Sequence, residues 1–263
     1  MRIYISGKNG FIGSNLFKKL SLNNDVINEE FNLNEIYKIK QFLPDIIIHC
    51  AARVGSTNCR NNLEDTINSN ILGIYKIAAV SKEINSYFVY LSSIDVYNFS
   101  NTFNVIDEKS SICPQTIYGM SKLFGEEVCK EMIDDLLIIR LGYIYGHPSN
   151  DPYSFISSIF NEKVVSLIGN YYKDYVYIDD CIEAICMLIN LKVKGIVNIG
   201  SGEGHLIKEI LDFVGISSFK FDLNDYTKNF VIKTDYINQL TEWKPKINFW
   251  EKLDEFRKEY YKK

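Results

Sequence analysis

Histidine, tryptophan and arginine are scarce in this chain of 263 residues. The three histidines, His49, His147 and His205, stand in no HExxH arrangement, and the six cysteines form no CxxC pair. A structural zinc or a histidine-based metal centre is therefore not expected. No uninterrupted apolar run of about 18 residues occurs, which excludes an obvious transmembrane helix. The first residues enter a strand-like segment rather than a secretory leader. Nor is there an excess of positive charge: 29 Lys and Arg face 33 Asp and Glu, a net charge of −4. That balance gives no electrostatic basis for a nucleic-acid or anionic-membrane partner. Internal repeats and low-complexity linkers are missing too. What remains is 46% hydrophobic and 24% charged, enough to bury a sizeable core without staples. Cys50, Cys59, Cys113, Cys129, Cys181 and Cys186 read as reduced, mostly buried thiols of a cytoplasmic protein. The preference for Lys over Arg, with abundant Asn, reads as the bias of an AT-rich bacterial genome.

The first half of the chain alternates strand and helix signals. Residues 2–6 form a short β-branched and aromatic run, and residues 11–22 place Phe11, Ile12, Leu16 and Leu20 near helical spacing. A weak strand at Asp25–Asn28 precedes a helix over Leu33–Phe42 that Pro44-Asp45 ends. Strands follow at 45–49 and 86–92, with a long helix over 63–84 between them that tolerates Gly73. Residues 98–115 read as a loop, 117–132 as a helix and 136–141 as a strand. Strands alternating with helices imply a parallel sheet covered on both faces. Beyond about Tyr145 the pattern is less regular. Helices are expected at 153–161, 179–191 and 205–214, a strand at 196–199, and a charged amphipathic helix at 249–262.

Gly7-Lys8-Asn9-Gly10-Phe11-Ile12-Gly13 follows the first strand and opens the first helix. Glycine allows the tight turn and the close approach of backbone to a pyrophosphate, and the helix N-terminus supplies N–H groups and a positive dipole. The spacing is GxxGxxG, neither GxGxxG nor a P-loop. Three glycines at such a turn also occur for structural reasons alone. Asn28, Glu29 and Glu30 lie near the place of the ribose-binding acid, which would favour NAD, while Lys8 and Lys38 could meet the extra phosphate of NADP.

Tyr118-Gly119-Met120-Ser121-Lys122 puts a phenol and an ammonium on one face of a helix. A lysine there favours the tyrosinate and would lower the Tyr118 pKa, readying it to move a proton. That pair recurs by chance in many helices. Upstream, Ser92-Ser93-Ile94-Asp95 ends a strand at the carboxyl edge, where open α/β sheets bind ligands.

With these residues in view the chain resembles the extended short-chain dehydrogenase/reductases, the NAD-dependent epimerase/dehydratase family acting on nucleotide sugars. The matching segments run in order: GKNGFIG (7–13), IIHCAA (47–52), Asn70, YLSSIDVY (90–97), YGMSK (118–122), RLGYIYG (140–146), KDYVYIDD (173–180), NIGSGE (198–203) and LTEWKP (240–245). The resemblance implies an α/β, Rossmann-type doubly wound parallel sheet with a small C-terminal substrate-binding cap. The cofactor domain would comprise 1–145 with segments near 170–200, and the cap about 146–263. It further implies that Gly7, Asn9, Gly10, Phe11, Ile12 and Gly13 cradle the pyrophosphate of NAD or NADP. Asn32 and Leu33 would lie by the adenine, and Cys50, Ala51, Ala52 and Ser92 would line the cofactor. Ser93 corresponds to the catalytic hydroxyl, Tyr118 to the acid/base, and Lys122 to the ligand of the nicotinamide ribose. Ser93, Ile94, Asp95 and Tyr143 would touch the substrate. Asp179-Asp180 corresponds to a structural segment.

Chemistry in this family begins with hydride exchange at C4 of a sugar. The 4,6-dehydratases carry Asp-Glu directly after the catalytic hydroxyl; Ile94-Asp95 here argues against dehydration. Tyr143, where many 4-epimerases have Asn, and the short stretch between Gly13 and the third strand are similar to dTDP-4-dehydrorhamnose reductases. Arg53-Val54-Gly55 is similar to the GDP-fucose synthases, and Cys113 is a candidate extra acid. The expectation is a reductase of a 4-keto nucleotide deoxysugar, with a 4-epimerase retaining NAD as the alternative and a non-catalytic dinucleotide-binding regulator behind it. A homodimer through residues 63–84 and 118–135 is the family expectation.

Overall fold

The computed structural model describes residues 1–99, 103–147, 154–160, 169–216 and 229–261. In chain order its elements are β1 (Arg2–Ser6), α1 (Phe11–Leu20), β2 (Asp25–Val26), β3 (Ile46–His49), α2 (Ser56–Asn61), α3 (Leu63–Thr66), α4 (Gly73–Ile84), β4 (Tyr87–Ser93) and β5 (Asn104–Ile106). There follow α5 (Ile117–Met132), β6 (Leu136–Leu141), β7 (Tyr143–Tyr145), α6 (Phe155–Phe160), β8 (Tyr172–Tyr177) and α7 (Ile178–Asn190). The chain closes with β9 (Gly195–Ile199), β10 (Gly204–Leu206), α8 (Ile207–Val214), β11 (Phe230–Ile232), α9 (Asp235–Thr241) and α10 (Phe249–Tyr261).

Two compact units share the chain. The first comprises residues 1–98, 111–141 and 182–197. Its sheet has the order β2-β1-β3-β4-β6-β9, and the pairs β1/β2, β1/β3, β3/β4 and β4/β6 are parallel. The strands are continuous apolar runs because helices cover both faces, so neither set of alternate side chains meets water. One face carries Tyr4, Ile47, Phe88, Tyr90 and Ile138 against Ile74, Ile77 and Ala78 of α4 and Cys129 of α5. Ile3, Ile5, Ile46, Ile48, Val89, Leu137 and Ile139 point to the other face and are buried as well. The strand order reverses between β1 and β3, the position where such sheets open a crevice at their carboxyl ends.

The second unit comprises residues 99–110, 142–181 and 198–263. It holds a three-stranded sheet, β10-β8-β7, and the parallel pair β11/β5. Its core gathers Tyr145, Tyr175, Ile156, Phe160, Ile207, Leu211, Phe249, Leu253 and Phe256. The carboxylate of Asp174, wholly buried, accepts from the Ser201 N–H (2.6 Å) and hydroxyl (2.7 Å), the Gly202 N–H (3.0 Å) and the Ile232 N–H (2.9 Å). It thereby joins β8, the turn at 200–202 and β11. Asp180 accepts from the N–H groups of Lys246 and Ile247 at 3.0 and 2.9 Å, a structural role.

Several expected elements differ. Residues 36–42 form a 3₁₀ helix with no side-chain cap, ended by Leu43 in a left-handed conformation before Pro44, so the stretch does not sustain an α-helix. The weak strand at 25–28 shrinks to Asp25–Val26, although the Ile27 N–H still bonds the Ile3 carbonyl at 2.9 Å. The helix over 63–84 is interrupted by a π segment, Ile67–Leu72. The loop at 98–115 contains β5, whose partner β11 lies more than a hundred residues away and gives no local signal. Of the helix at 153–161, both end residues lie outside the described residues. No helix among the described residues is long and apolar enough to cross a membrane.

Candidate active site

The crevice at the ends of β1 and β3 is built from glycine. Gly7 leaves β1 with φ +70°, and its carbonyl accepts the Gly10 N–H at 3.0 Å. A Cβ on Gly13 would stand 2.1 Å from that same carbonyl oxygen, and one on Gly7 2.7 Å from the Ala51 nitrogen. The start of α1, the end of β1 and the segment after β3 therefore touch backbone to backbone. Gly10 caps α1 without a side-chain bond, and its first turn holds no carboxylate. The leading N–H groups and the positive end of the helix dipole face the crevice, as phosphate oxygens require. Phe11 and Ile12 are half-buried in that turn, and Ala51 and Ala52 are half-buried opposite. Burial pushes the Cys50 thiol up to about 12, so it stays protonated.

At the end of β2 the Lys8 ammonium donates to the Asn28 carbonyl and, at 2.8 Å, to its side-chain oxygen. Asn9 donates to the Glu30 carboxylate. Lys38 is bound to Glu35 at 2.6 Å, which leaves Lys8 as the lysine at this edge. Asn32 spends its amide on Glu35 and its oxygen on the Asn34 N–H, at 2.7 and 3.0 Å. Leu33 packs against the core face of the sheet.

Strand β4 and helix α5 bring the proposed trio together. Tyr118 stands beside Ser93, close enough for the Ser93 hydroxyl to act on its phenol. Ser93 also caps the short 3₁₀ turn at 94–96, accepting the Asp95 N–H at 3.1 Å. Lys122, one turn past Tyr118, is 4% exposed and donates to the Leu91 carbonyl at 2.7 Å. Its ammonium lies 4.9 Å from the centre of the Tyr90 ring. Desolvation lowers it to about 8, so it is largely charged at neutral pH. The Tyr118 phenol does not follow the expected lowering. Burial and the Asp95 charge push it well above its ordinary value, and only the nearby Ser93 hydroxyl pulls the other way. At neutral pH Tyr118 is a proton donor.

Asn70 sits in the π segment and is buried. Its oxygen accepts the Arg53 N–H at 2.7 Å; its amide donates to the Arg53 carbonyl at 2.9 Å and to Ser121 at 3.0 Å. Ser121 in turn donates to the Tyr118 carbonyl at 2.8 Å. The local change of helix pitch aims Asn70 across to α5, a use of π segments that no hydrophobic period reveals.

At the end of β4, Ser92 and Ile94 depart from expectation. Ser92 and Ser93 alternate along β4, so the Ser92 side chain faces α5 and donates to Glu126 at 2.6 Å. Its hydroxyl is not offered to a cofactor. Ile94 is 1% exposed and lies in the core rather than on a substrate surface. Asp95 is buried and close enough to Tyr118 for its charge to be felt there. Tyr143 belongs to the second unit, where the Lys173 ammonium lies 4.5 Å from its ring centre. Cys113 is exposed.

Glu126 went unnoticed in the sequence. It is 0% exposed, takes a two-pronged bond from Arg140 (2.9 and 2.6 Å) and accepts Ser92. The only sequence signal is that Tyr118, Lys122 and Glu126 follow at four-residue steps.

The glycine cradle, the uncapped helix start and the buried ammonium fit a pyrophosphate-bearing nicotinamide dinucleotide. Comparisons with known proteins agree. Residues 3–200 match the NAD dependent epimerase/dehydratase family. A putative UDP-glucose 4-epimerase of Methanocaldococcus jannaschii is 30% identical over 251 residues, covering 81% of this chain and 81% of that protein. Among solved structures, the dTDP-4-dehydrorhamnose reductase of Clostridium acetobutylicum superposes with a TM-score of 0.81 at 21% identity, over 97% of this chain and 98% of that one. MoeE5 in complex with UDP-glucose and NAD gives 0.84 at 17% identity, over 100% and 99%. At these identities the structures speak for the fold.

Proposed function

This chain belongs to the NAD-dependent epimerase/dehydratase family, and from that premise we propose that it reduces the 4-keto group of a nucleotide-linked deoxysugar. The observation that carries the reading is the meeting of Ser93, at the end of β4, with Tyr118 and the buried Lys122 ammonium of α5. A bound NADH or NADPH supplies the hydride. Tyr118, held as a phenol, gives its proton to the oxygen at C4, and Ser93 donates to the same oxygen and polarises the carbonyl. Lys122 keeps one N–H on Leu91 and offers the others to the nicotinamide ribose. Gly7, Gly10, Gly13, Phe11 and Ile12 hold the pyrophosphate. Ile94, an apolar residue between Ser93 and Asp95, stands where a dehydratase would need its first carboxyl group.

The alternative is a 4-epimerase, favoured by the Methanocaldococcus relative. Incubation with NADH and with NADPH against a panel of 4-keto nucleotide sugars, followed by loss of reduced-cofactor absorbance, separates the two. Consumption of reduced cofactor with one 4-keto sugar is expected. No consumption, together with interconversion of C4 epimers by protein carrying tightly bound NAD, would overturn the reductase reading.

The protein acts in the cytoplasm as a homodimer on this reading. Leu63, Ile67, Leu72 and Tyr75 on the 63–84 stretch, and Met120 and Phe124 on α5, are exposed although apolar. Such a contiguous face seeks cover. Charging it with Tyr75→Glu and Phe124→Glu together is expected to convert a dimer to a monomer in sedimentation without loss of helix content. A native chain that sediments as a monomer would refute the assembly.

A further inference from the structure

One carboxylate ties together the elements that carry Ser93, Tyr118 and Lys122. Glu126 lies on α5, one turn beyond Lys122. Through Ser92 (2.6 Å) it holds β4 at the residue before Ser93. Through the paired bonds from Arg140 it holds β6. The Arg140 guanidinium in turn lies 4.8 Å from the ring centre of Tyr97, the buried residue that closes the turn begun by Ser93. Burying such a pair costs desolvation that apolar side chains of similar volume would not incur.

The charge of Glu126 also has a singular place. Lys122 is faced by His49 and Cys50 from the end of β3, Cys59 from α2, Tyr90 and the Leu91 carbonyl from β4, and Tyr118, Glu126 and Cys129 from its own helix. Burial keeps His49 neutral and Cys50, Cys59, Cys129, Tyr90 and Tyr118 protonated. Glu126 is therefore the one anion among the groups that face the ammonium.

We propose that the buried Glu126–Arg140 pair positions the trio and holds Lys122 charged, rather than serving the fold alone. The proposal rests on the reading that Lys122 binds the cofactor ribose. Removing the anion leaves desolvation opposed by the Leu91 carbonyl and the Tyr90 ring alone, so Lys122 loses its proton at lower pH.

The test uses the full chain and reads NADH or NADPH fluorescence on binding from about pH 6 to about pH 10, beside turnover. Glu126→Gln keeps the shape and drops the charge; Glu126→Asp keeps the charge and shortens the reach. The double variant Glu126→Leu with Arg140→Met replaces the pair by apolar side chains and leaves no orphaned cation. In Glu126→Gln and in the double variant the alkaline fall of cofactor binding is expected to move acidward by about one pH unit. In Glu126→Asp it is expected to stay, while turnover falls about tenfold through misplacement. A folded double variant with the native pH limb and native turnover would overturn the proposal. So would loss of fold in all three variants, which would make the pair a stability element. Because the limb is read on the cofactor alone, the result stands apart from whether a 4-keto sugar is the substrate.

Discussion

Tyr118→Phe is expected to lower turnover by roughly 10²- to 10⁴-fold and to leave cofactor affinity within about twofold. The substitution removes one oxygen. That oxygen stands beside both Ser93 and Asp95. The glycine cradle and Lys122 bind the dinucleotide without it, since the Lys122 ammonium is fixed by Leu91 and not by the phenol. Turnover is followed by reduced-cofactor absorbance at saturating substrate, and affinity by fluorescence titration. Unchanged turnover would move the acid to another group. Asp95→Asn then separates the two carriers of the Tyr118 shift: without the Asp95 charge Tyr118 ionises more easily, so the alkaline limb of turnover moves to lower pH.

Gly13→Ala is expected to weaken cofactor binding by more than about tenfold, which corresponds to about 1.4 kcal/mol. The new Cβ would stand 2.1 Å from the Gly7 oxygen and 2.8 Å from the Gly7 carbonyl carbon. Backbone cannot swing aside as a flexible side chain does, so α1 must move away from the end of β1, and its N–H groups with it. Overpacking of this kind costs about 1–3 kcal/mol. In a chain of this size that lowers Tm by roughly 2–4 °C for each kcal/mol. Gly10→Ala is the control, because its Cβ would meet only the Gly7 oxygen, at 3.2 Å. It should keep a Tm close to that of the native chain, so it controls for the backbone displacement that Gly13→Ala forces. Equal binding by Gly13→Ala and the native chain would remove the phosphates from this turn.

These two predictions draw on residues that the sequence singles out, and the reason is local. β1, β3, β4 and β6 are buried on both faces, so each appears as an unbroken apolar run. In such a sheet the ends of the runs mark the crevice, and the glycines, Ser93 and Tyr118 stand there or on the next helix. Misreadings arose where two neighbours share a strand or turn but not a direction. Ser92 reads as lining the cofactor, yet pleating turns it to Glu126; Ile94 reads as a substrate contact, yet it is core.

By itself, then, the sequence determined the parallel α/β sheet and its family, and marked the glycine turn, Ser93, Tyr118 and Lys122 as candidates. Each of these is written in spacing of two, four or a few residues. Tertiary structure alone decided the protonation of Tyr118, the fate of Ser92, the clamp by Asn70 and the burial of Glu126 against Arg140. Those depend on desolvation and on partners far apart in the chain. A carboxylate on an amphipathic helix reads as solvated until the strand that covers it is in place, and a lysine four residues from a tyrosine reads as its activator until burial proves the larger influence. The pair β5/β11 and the hub at Asp174 belong to the same class, since three-residue strands separated by more than a hundred residues carry no periodicity to read.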